Sequence, residues 1–330
     1  MLSDSMRCID ILSDQADKAL KIVTSTIPVA SADQVLIRVK AAGVNRPDWM
    51  QRQGLYPAPA GASPILGLEV SGIIEAIGSD VTKFAVGDPV CALLNGGAYA
   101  EYALAEQGCV LPVPKDFTWT QAAALPECLF TVWSNLISFG GLKAHESILI
   151  HGGGSGIGTT AIQIARMIEA RVYVTTGSAD KANRCLALGA EVAINYKTQD
   201  FVEIIKQMTG KQGVNLILDM IGGAYLNRNL QCLANEGRLM QIAIQGGNTA
   251  EIALWPIMAK RLHISGSTLR SRDTQFKGEI ARQLRQRVWP WLEQGLIHPV
   301  IDSVFPLADA ELAHQRLNNS EHFGKIILEV

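Results

Sequence analysis

The first chemistry the sequence offers is a set of small residues at fixed spacing. In ILIHGGGSGIGTTAIQIAR, residues 148–166, an apolar run leads into a glycine-rich turn, and the turn opens a helix-forming segment read as Gly158–Ile168. Glycine lets a backbone take positive φ and approach a ligand closely. A helix N-terminus offers unpaired N–H groups and partial positive charge to a phosphate. Gly153 and Gly158 hold the first and third positions of a G-x-G-x-x-G loop, and Ser155 stands at the middle one. Serine is small and carries a hydroxyl that can hydrogen-bond a phosphate. Gly153, Gly154, Ser155, Gly156 and Ile157 are therefore expected to cradle the pyrophosphate of a dinucleotide.

The next strand sets the choice of dinucleotide. Loops for NAD place an acidic residue near its end to bind the ribose 2′-hydroxyl. Here the strand ends VTTGSADK, with no charge at Thr175, Thr176, Gly177 or Ser178 and with Lys181 following. Tyr196 ends the strand after that. Absence of an acid removes repulsion towards a 2′-phosphate, and a lysine adds attraction, so NADPH is favoured over NADH. Asp180 reads as a helix cap.

These residues need a scaffold. From Gln121 the chain alternates apolar strands and helices: SILIHG, RVYVTTG, EVAINY, VNLILDMIGG, RLMQIAIQGG and LHISGSTL, with helical segments between. Six such strands, almost continuously apolar, predict an α/β fold with a doubly wound parallel sheet covered on both faces. The preceding segment TQAAALPECLFTVWSNLISF reads as one long helix. Before it, QVLIRVKAAGV, VSGIIEAIG and GDPVCALL are short strands punctuated by Gly, Pro and Asp, which predicts a small, mainly β domain. After Arg270, FKGEIARQLRQRVWPWLEQG reads as an amphipathic helix whose Arg and Lys form a solvated face. The tail is read as one helix and a final strand that returns to the first domain. The boundaries follow as 1–126 with 270–330 for the β domain and 127–269 for the cofactor domain.

Composition narrows the partners. In 330 residues, 29 Lys and Arg stand against 31 Asp and Glu, without a basic cluster, so nucleic acid is not expected. Six scattered cysteines, without a C-x-x-C pair, read as reduced thiols. Neither a signal peptide nor a membrane-spanning apolar run is apparent, and a cytoplasmic location is expected.

Several ordered motifs together resemble the medium-chain dehydrogenase/reductase superfamily. They are AAGVNRPDWMQRQGLYPAP, ILGLEVSGIIEAIGSDVTKFAVGDPV, HGGGSGIGTTAIQIAR, GVNLILDMIGG and GKIILEV. Within it the chain resembles the zinc-free quinone oxidoreductases of the zeta-crystallin group. NYKTQDF and TLRSRD resemble the p53-inducible branch in particular. The resemblance implies a GroES-like catalytic domain beside the Rossmann domain. Zinc enzymes of the superfamily hold their catalytic metal by a Cys, a His beside a Glu, and a further Cys. At those places this chain has Asn45, Leu68 before Glu69, and Cys128, and it has no four-cysteine lobe for a structural zinc. One thiol cannot supply the roughly three protein ligands of a catalytic zinc, so no metal is expected and Cys128 reads as a packing thiol.

A quinone needs little help to be reduced: it is electrophilic, and its product is aromatic. The resemblance implies a cleft lined by Asn45, Asp48, Tyr56 and Thr131, with Asn45 and Thr131 near the nicotinamide and Tyr56 on the quinone. Asn45, Tyr56 and Ser155 are the expected catalytic contacts. Asp48 and Arg52 are expected to form an ion pair that orders their loop. Ile221, Ile244 and Gln245, after the fourth and fifth strands, are expected beside the cofactor's second half. Asp219 would anchor the turn after its strand.

An NADPH-dependent quinone reductase is the leading expectation. A reductase of enone double bonds and a non-catalytic NADPH-binding or structural protein remain open beside it. A homodimer through the edge strand HISGSTL is expected, as superfamily members often form.

Overall fold

A computed structural model describes residues 4–12 and 18–330. The chain divides into two compact units, residues 1–130 with 269–330, and residues 131–268.

In the first unit β1 (Ser5–Ile11) and β2 (Leu20–Thr26) form an antiparallel hairpin. β3 (Gln34–Val44) then leads directly into α1 (Arg46–Arg52). β4 (Glu69–Ile77), β5 (Pro89–Leu93), β6 (Tyr102–Glu106) and β7 (Val110–Pro112) follow. α2 (Trp119–Ala123) and α3 (Pro126–Trp133) occupy the segment read as one long helix. Proline explains the break: it has no N–H to donate and fits only the first turn of a helix, so Pro126 starts α3. A π-helical turn, Ser134–Phe139, extends α3 and already belongs to the second unit. The run Trp119–Phe139 is apolar and long enough to cross a membrane, but 78% of its most apolar window is buried, which makes it core.

The second unit contains β8 (Ser147–Ile150), α4 (Gly156–Met167), β9 (Arg171–Thr176), α5 (Ala179–Ala187), β10 (Val192–Asn195), α6 (Phe201–Met208), β11 (Val214–Asp219), α7 (Tyr225–Cys232), β12 (Leu233–Gln241), α8 (Leu254–Lys260) and β13 (His263–Gly266). Its six strands are all parallel, in the order β10-β9-β8-β11-β12-β13. The order reverses between β8 and β11, and in such sheets ligands bind outside the carboxyl ends of the strands at that point. Leu149, Tyr173, Ile194, Ile217 and Leu239 carry its core against Phe201, Ile205 and Leu230.

The chain then returns to the first unit as α9 (Thr274–Arg287), α10 (Trp289–Glu293), β14 (Ile301–Pro306), α11 (Ala310–Asn318) and β15 (Lys325–Glu329). The final strand does pair with β3. β14, which the sequence reading passed over, pairs in parallel with β15; its half-exposed pattern carries no alternating signal. The complete sheet runs β14-β15-β3-β4-β5-β7, with β6 on β3. One edge of β3 is shared: β6 takes Gln34–Arg38 and β15 takes Ala41–Val44. The solvated face expected of α9 has an exception, because Lys277 is buried.

Candidate active site

Three strand ends of the first unit deliver polar side chains to one point. Val44, the last residue of β3, lies opposite Ile326, and Ala42 lies opposite Val70. Asn45, Glu69 and Lys325, each one residue along, are thereby neighbours. The Lys325 ammonium donates to Glu69 Oε1 (2.5 Å), Asn45 Oδ1 (2.6 Å) and the Val44 carbonyl (3.2 Å). Asn45 Nδ2 donates to Glu69 Oε1 (2.9 Å) and to the Gly43 carbonyl (3.3 Å). The Glu127 N–H donates to Glu69 Oε2 (2.9 Å). Asn45, Glu69 and Lys325 are buried, and Gly43 is required, since a Cβ there would run into the Glu69 carboxylate. Burial works against the Lys325 charge, but Glu69, with smaller help from Cys128 and Glu127, more than offsets it and holds the ammonium above its ordinary pKa. Leu68 and Cys128 are buried too. Among the described residues, no three His, Cys, Asp or Glu are grouped so as to hold a metal ion.

Both side-chain N–H groups of Asn45 are thus committed inside the protein. What it retains for a ligand is acceptor capacity on Oδ1.

Asp48 and Glu127 share this low-dielectric surrounding. Asp48 Oδ2 accepts from the Asn45 N–H (2.7 Å) and the Tyr99 hydroxyl (3.0 Å), and Tyr99 in turn meets His314 Nε2 (3.2 Å). Burial nevertheless pushes the Asp48 carboxyl up to about 7, helped by Glu69. Burial, then the Glu69 and Asp48 charges, push Glu127 up to about 8. The expected Asp48–Arg52 ion pair is not formed. Arg52 pairs with Glu311 (2.8 Å) and donates to the Lys18 carbonyl (2.9 Å), because α11 brings a carboxylate to it while Asp48 turns back to cap α1. Tyr56 is half-buried. Its hydroxyl makes no hydrogen bond to a described residue, and the Arg270 guanidinium lies over its ring at 5.8 Å. Burial raises its phenol pKa.

The glycine loop belongs to the second unit. α4 begins at Gly156, two residues before the expected start, with Ser155 as its N-cap. Ser155 Oγ accepts from the Gly158 N–H (2.9 Å) and donates to the Gly152 carbonyl (2.8 Å). The hydroxyl proton is therefore spent inside the loop, so Ser155 cannot donate it to a phosphate as expected; the cap takes precedence. The free donors are backbone groups. The N–H groups of Gly154, Gly156 and Ile157 donate to no described residue, whereas Gly153 N–H is bonded to the Thr175 carbonyl. Gly158 is required by the close approach of the Gly152 carbonyl. Gly152, which the motif reading passed over, takes φ +72° at the head of the turn.

At the end of β9, Thr175 and Thr176 are buried, and Ser178, not Asp180, caps α5 by accepting the Lys181 N–H (3.3 Å). Asp180 is an exposed first-turn residue. The Tyr196 ring reaches over Gly177: a Cβ there would meet its hydroxyl at 2.8 Å and Lys197 Cε at 3.7 Å. Gly177, Ser178, Lys181, Tyr196 and Lys197 thus gather at the ends of β9 and β10, and Lys197 is a cation the sequence reading missed.

Asp219 anchors its turn, accepting from the N–H groups of Ile221 (2.6 Å) and Gly222 (3.2 Å). It also accepts from Asn229, which meets His151 Nε2 (2.7 Å), while His151 Nδ1 meets Thr175 (3.0 Å). This buried relay ties β8, β9, β11 and α7 together beneath the glycine loop. The Gln245 and Gly246 N–H groups bond the Met220 and Ile221 carbonyls, and Ile244 projects half-exposed. Thr131 is buried, and its carbonyl accepts from Ser134 (3.1 Å) and Asn135 (2.9 Å) at the π-helical turn. Such turns recur at functional sites.

Comparison with known proteins agrees with this architecture. Residues 31–115 match the alcohol dehydrogenase GroES-like domain, and residues 156–285 match the zinc-binding dehydrogenase family. The human quinone oxidoreductase is 32% identical over 98% of this chain and 97% of its own length. The pig quinone oxidoreductase is 35% identical over 92% of this chain and 91% of its own. The structure of Escherichia coli quinone oxidoreductase complexed with NADPH superposes with a TM-score of 0.86 at 26% identity, covering 98% of this chain and all of that one.

Proposed function

The chain belongs to the quinone oxidoreductases of the medium-chain dehydrogenase/reductase superfamily, and we propose that it reduces quinones with NADPH without a catalytic metal. The observation that carries this reading is the Lys325 ammonium, bonded between Asn45 and Glu69. A catalytic zinc takes about three protein ligands and keeps an open position. Asn45, Leu68 and Cys128 offer one thiol, beside a fixed cation that repels a second one, so this donor set does not fit zinc. Without a Lewis acid, stabilising an alkoxide is difficult, and a pre-activated acceptor such as a quinone suits the site better.

Bound NADPH supplies the hydride. The N–H groups of Gly154, Gly156 and Ile157, in the turn that Gly153 and Ser155 shape, would take the pyrophosphate. Gly177, Ser178, Lys181 and Tyr196 would take the ribose 2′-phosphate, with Lys197 adding charge. Ile221, Ile244 and Gln245 would border the cofactor's nicotinamide half, and Asn45 and Thr131 its ring. Of the three expected catalytic contacts, Asn45 and Ser155 have committed their donors and act by shaping. Tyr56 keeps its O–H for the acceptor's oxygen, where negative charge develops.

The test is stopped-flow mixing of protein and NADPH with a quinone panel and an enone panel, with zinc content measured by mass spectrometry. Quinone-dependent NADPH oxidation by zinc-free protein is expected. A higher kcat/KM for enones would move the reading to double-bond reduction. Tight NADPH binding with no turnover would move it to a non-catalytic role.

A further inference from the structure

Two buried cations in the first unit lack a counter-ion. Arg270 and Lys277 are 6% and 3% exposed, and neither forms an ion pair within 4 Å with a described residue. They share one neutral partner. Arg270 Nε and Nη2 donate to the Asn95 carbonyl (2.9 and 2.6 Å), and Lys277 Nζ donates to Asn95 Oδ1 (2.7 Å) and the Arg270 carbonyl (2.9 Å). Arg270 Nη1 is buried and donates to nothing among the described residues. Buried charge is normally paired, and a buried donor is normally bonded. Two cations and an orphaned N–H in one place therefore describe a site whose anion comes from outside. Nearby Glu127 does not supply it at neutral pH, since burial and the other carboxyls keep its proton on. Burial lowers the pKa of both cations, and the neighbouring acidic groups, among them Asp48 and Glu127 for Arg270 and Glu127 and Asp273 for Lys277, offset it only in part.

We infer that Arg270 and Lys277, beside Tyr56, form an anion subsite that receives the acceptor's oxygen and favours acceptors in which that oxygen is already ionised, as in hydroxyquinones. The assignment rests on the quinone reading above and names the acceptor class within it. Tyr56 lies beside the guanidinium and is only half-buried, so it borders the route by which an acceptor's oxygen reaches Nη1. Asn95 fixes both cations through a loop whose Gly96 and Gly97 take φ +150° and +97°.

The test is calorimetric binding in the presence of NADP+, which cannot supply hydride. The probes are 2-hydroxy-1,4-naphthoquinone, ionised at neutral pH, and uncharged 1,4-naphthoquinone. The wild-type protein is expected to prefer the anion by about tenfold, the scale of a hydrogen bond to a charged group. Arg270→Met and Lys277→Met should each remove most of that preference and leave the uncharged quinone within about threefold of wild type. If circular dichroism shows that a methionine variant has not folded, Arg270→Gln and Lys277→Gln carry the same expectation. No preference in wild type, or equal loss for both quinones in the variants, overturns the subsite. Because binding is read without turnover, a chain that shows the preference yet never reduces a quinone would refute the reductase reading and leave the subsite standing.

Discussion

The ammonium of Lys325 lies 2.5 Å from Glu69 Oε1, with 5% and 0% of the two side chains exposed. Both ends of the pair are fully bonded: lysine has three acceptors, and glutamate has three donors from Lys325, Asn45 and Glu127. Such a pair adds little net stability over a well-packed apolar one, but breaking it strands a buried charge.

Lys325→Met should therefore cost roughly 3–5 kcal/mol, and the double change with Glu69→Gln should recover part of that loss. Urea unfolding of the two single variants and the double variant measures the coupling. The Lys325 pKa is raised on folding, so its contribution is complete below the unfolded value of about 10.4 and is lost only as pH rises through the folded one. Up to about pH 6 the cost of the Lys325 change should be flat; above that it should grow, because Lys325 lowers the pKa of the Asp48 and Glu127 carboxyls, which then ionise without their cation.

Asp48 and Glu127 themselves behave oppositely. Their carboxyls are raised to about 7 and about 8 in the folded chain, against about 3.9 and 4.3 unfolded. Between those values the folded state holds protons that the unfolded state has released, so these two groups make stability fall as pH rises from about 4 to 8. Asp48→Asn and Glu127→Gln remain neutral and should each flatten that slope. Unfolding free energies of wild type and variants at pH 5, 6, 7 and 8 decide it; a slope unchanged by both substitutions refutes the account.

Lys181 and Lys197 carry the prediction for the cofactor. Lys181 lies in the first turn of α5, and the Lys197 side chain lies beside Gly177. Lys181→Ala and Lys197→Ala should each weaken NADPH by several-fold, within about tenfold for an exposed charge contact, and leave NADH nearly unchanged. Fluorescence titration with both nucleotides measures the ratio. The loss should shrink in high salt, because exposed charges are screened.

The parallel sheet was legible because its strands are continuous apolar runs between helical periods, and the glycine turn because it sits between two of them. The polar cluster was not. Lys325 meets Glu69 across 256 residues and Asn45 across 280, and no local pattern encodes such a meeting. Lys277 sits in an amphipathic helix whose charged residues read as solvated, but Asn95, 182 residues away, and the Arg270 carbonyl hold its ammonium inside. Arg52 followed the same logic: Asp48 is four residues before it on one helix, but Glu311 on α11 takes the guanidinium. Ser155 is legible as a residue of the turn, but whether its proton faces a ligand or its own backbone depends on the Gly152 carbonyl.

The edge of the cofactor sheet gives the last prediction. β13 pairs with β12 on one side only, and all four of its residues, His263–Gly266, are exposed. Beside it α8 presents Leu254, Trp255 and Met258, each more than 60% exposed, and Ile264 on the strand itself is 41% exposed. An open strand edge flanked by large apolar side chains templates association unless it is covered. A second copy related by a twofold axis would cover it with the same surface and would close the assembly at two. Light scattering after gel filtration should therefore give twice the chain mass. Trp255→Arg should shift the protein towards monomer, because two guanidinium groups would be forced into one apolar contact. Ile264→Pro should do so independently, by removing a main-chain donor and stiffening the edge. Neither change touches the glycine loop, so both variants should keep wild-type NADPH affinity as monomers; wild-type protein that runs as a monomer at high concentration would dismiss this edge as an interface.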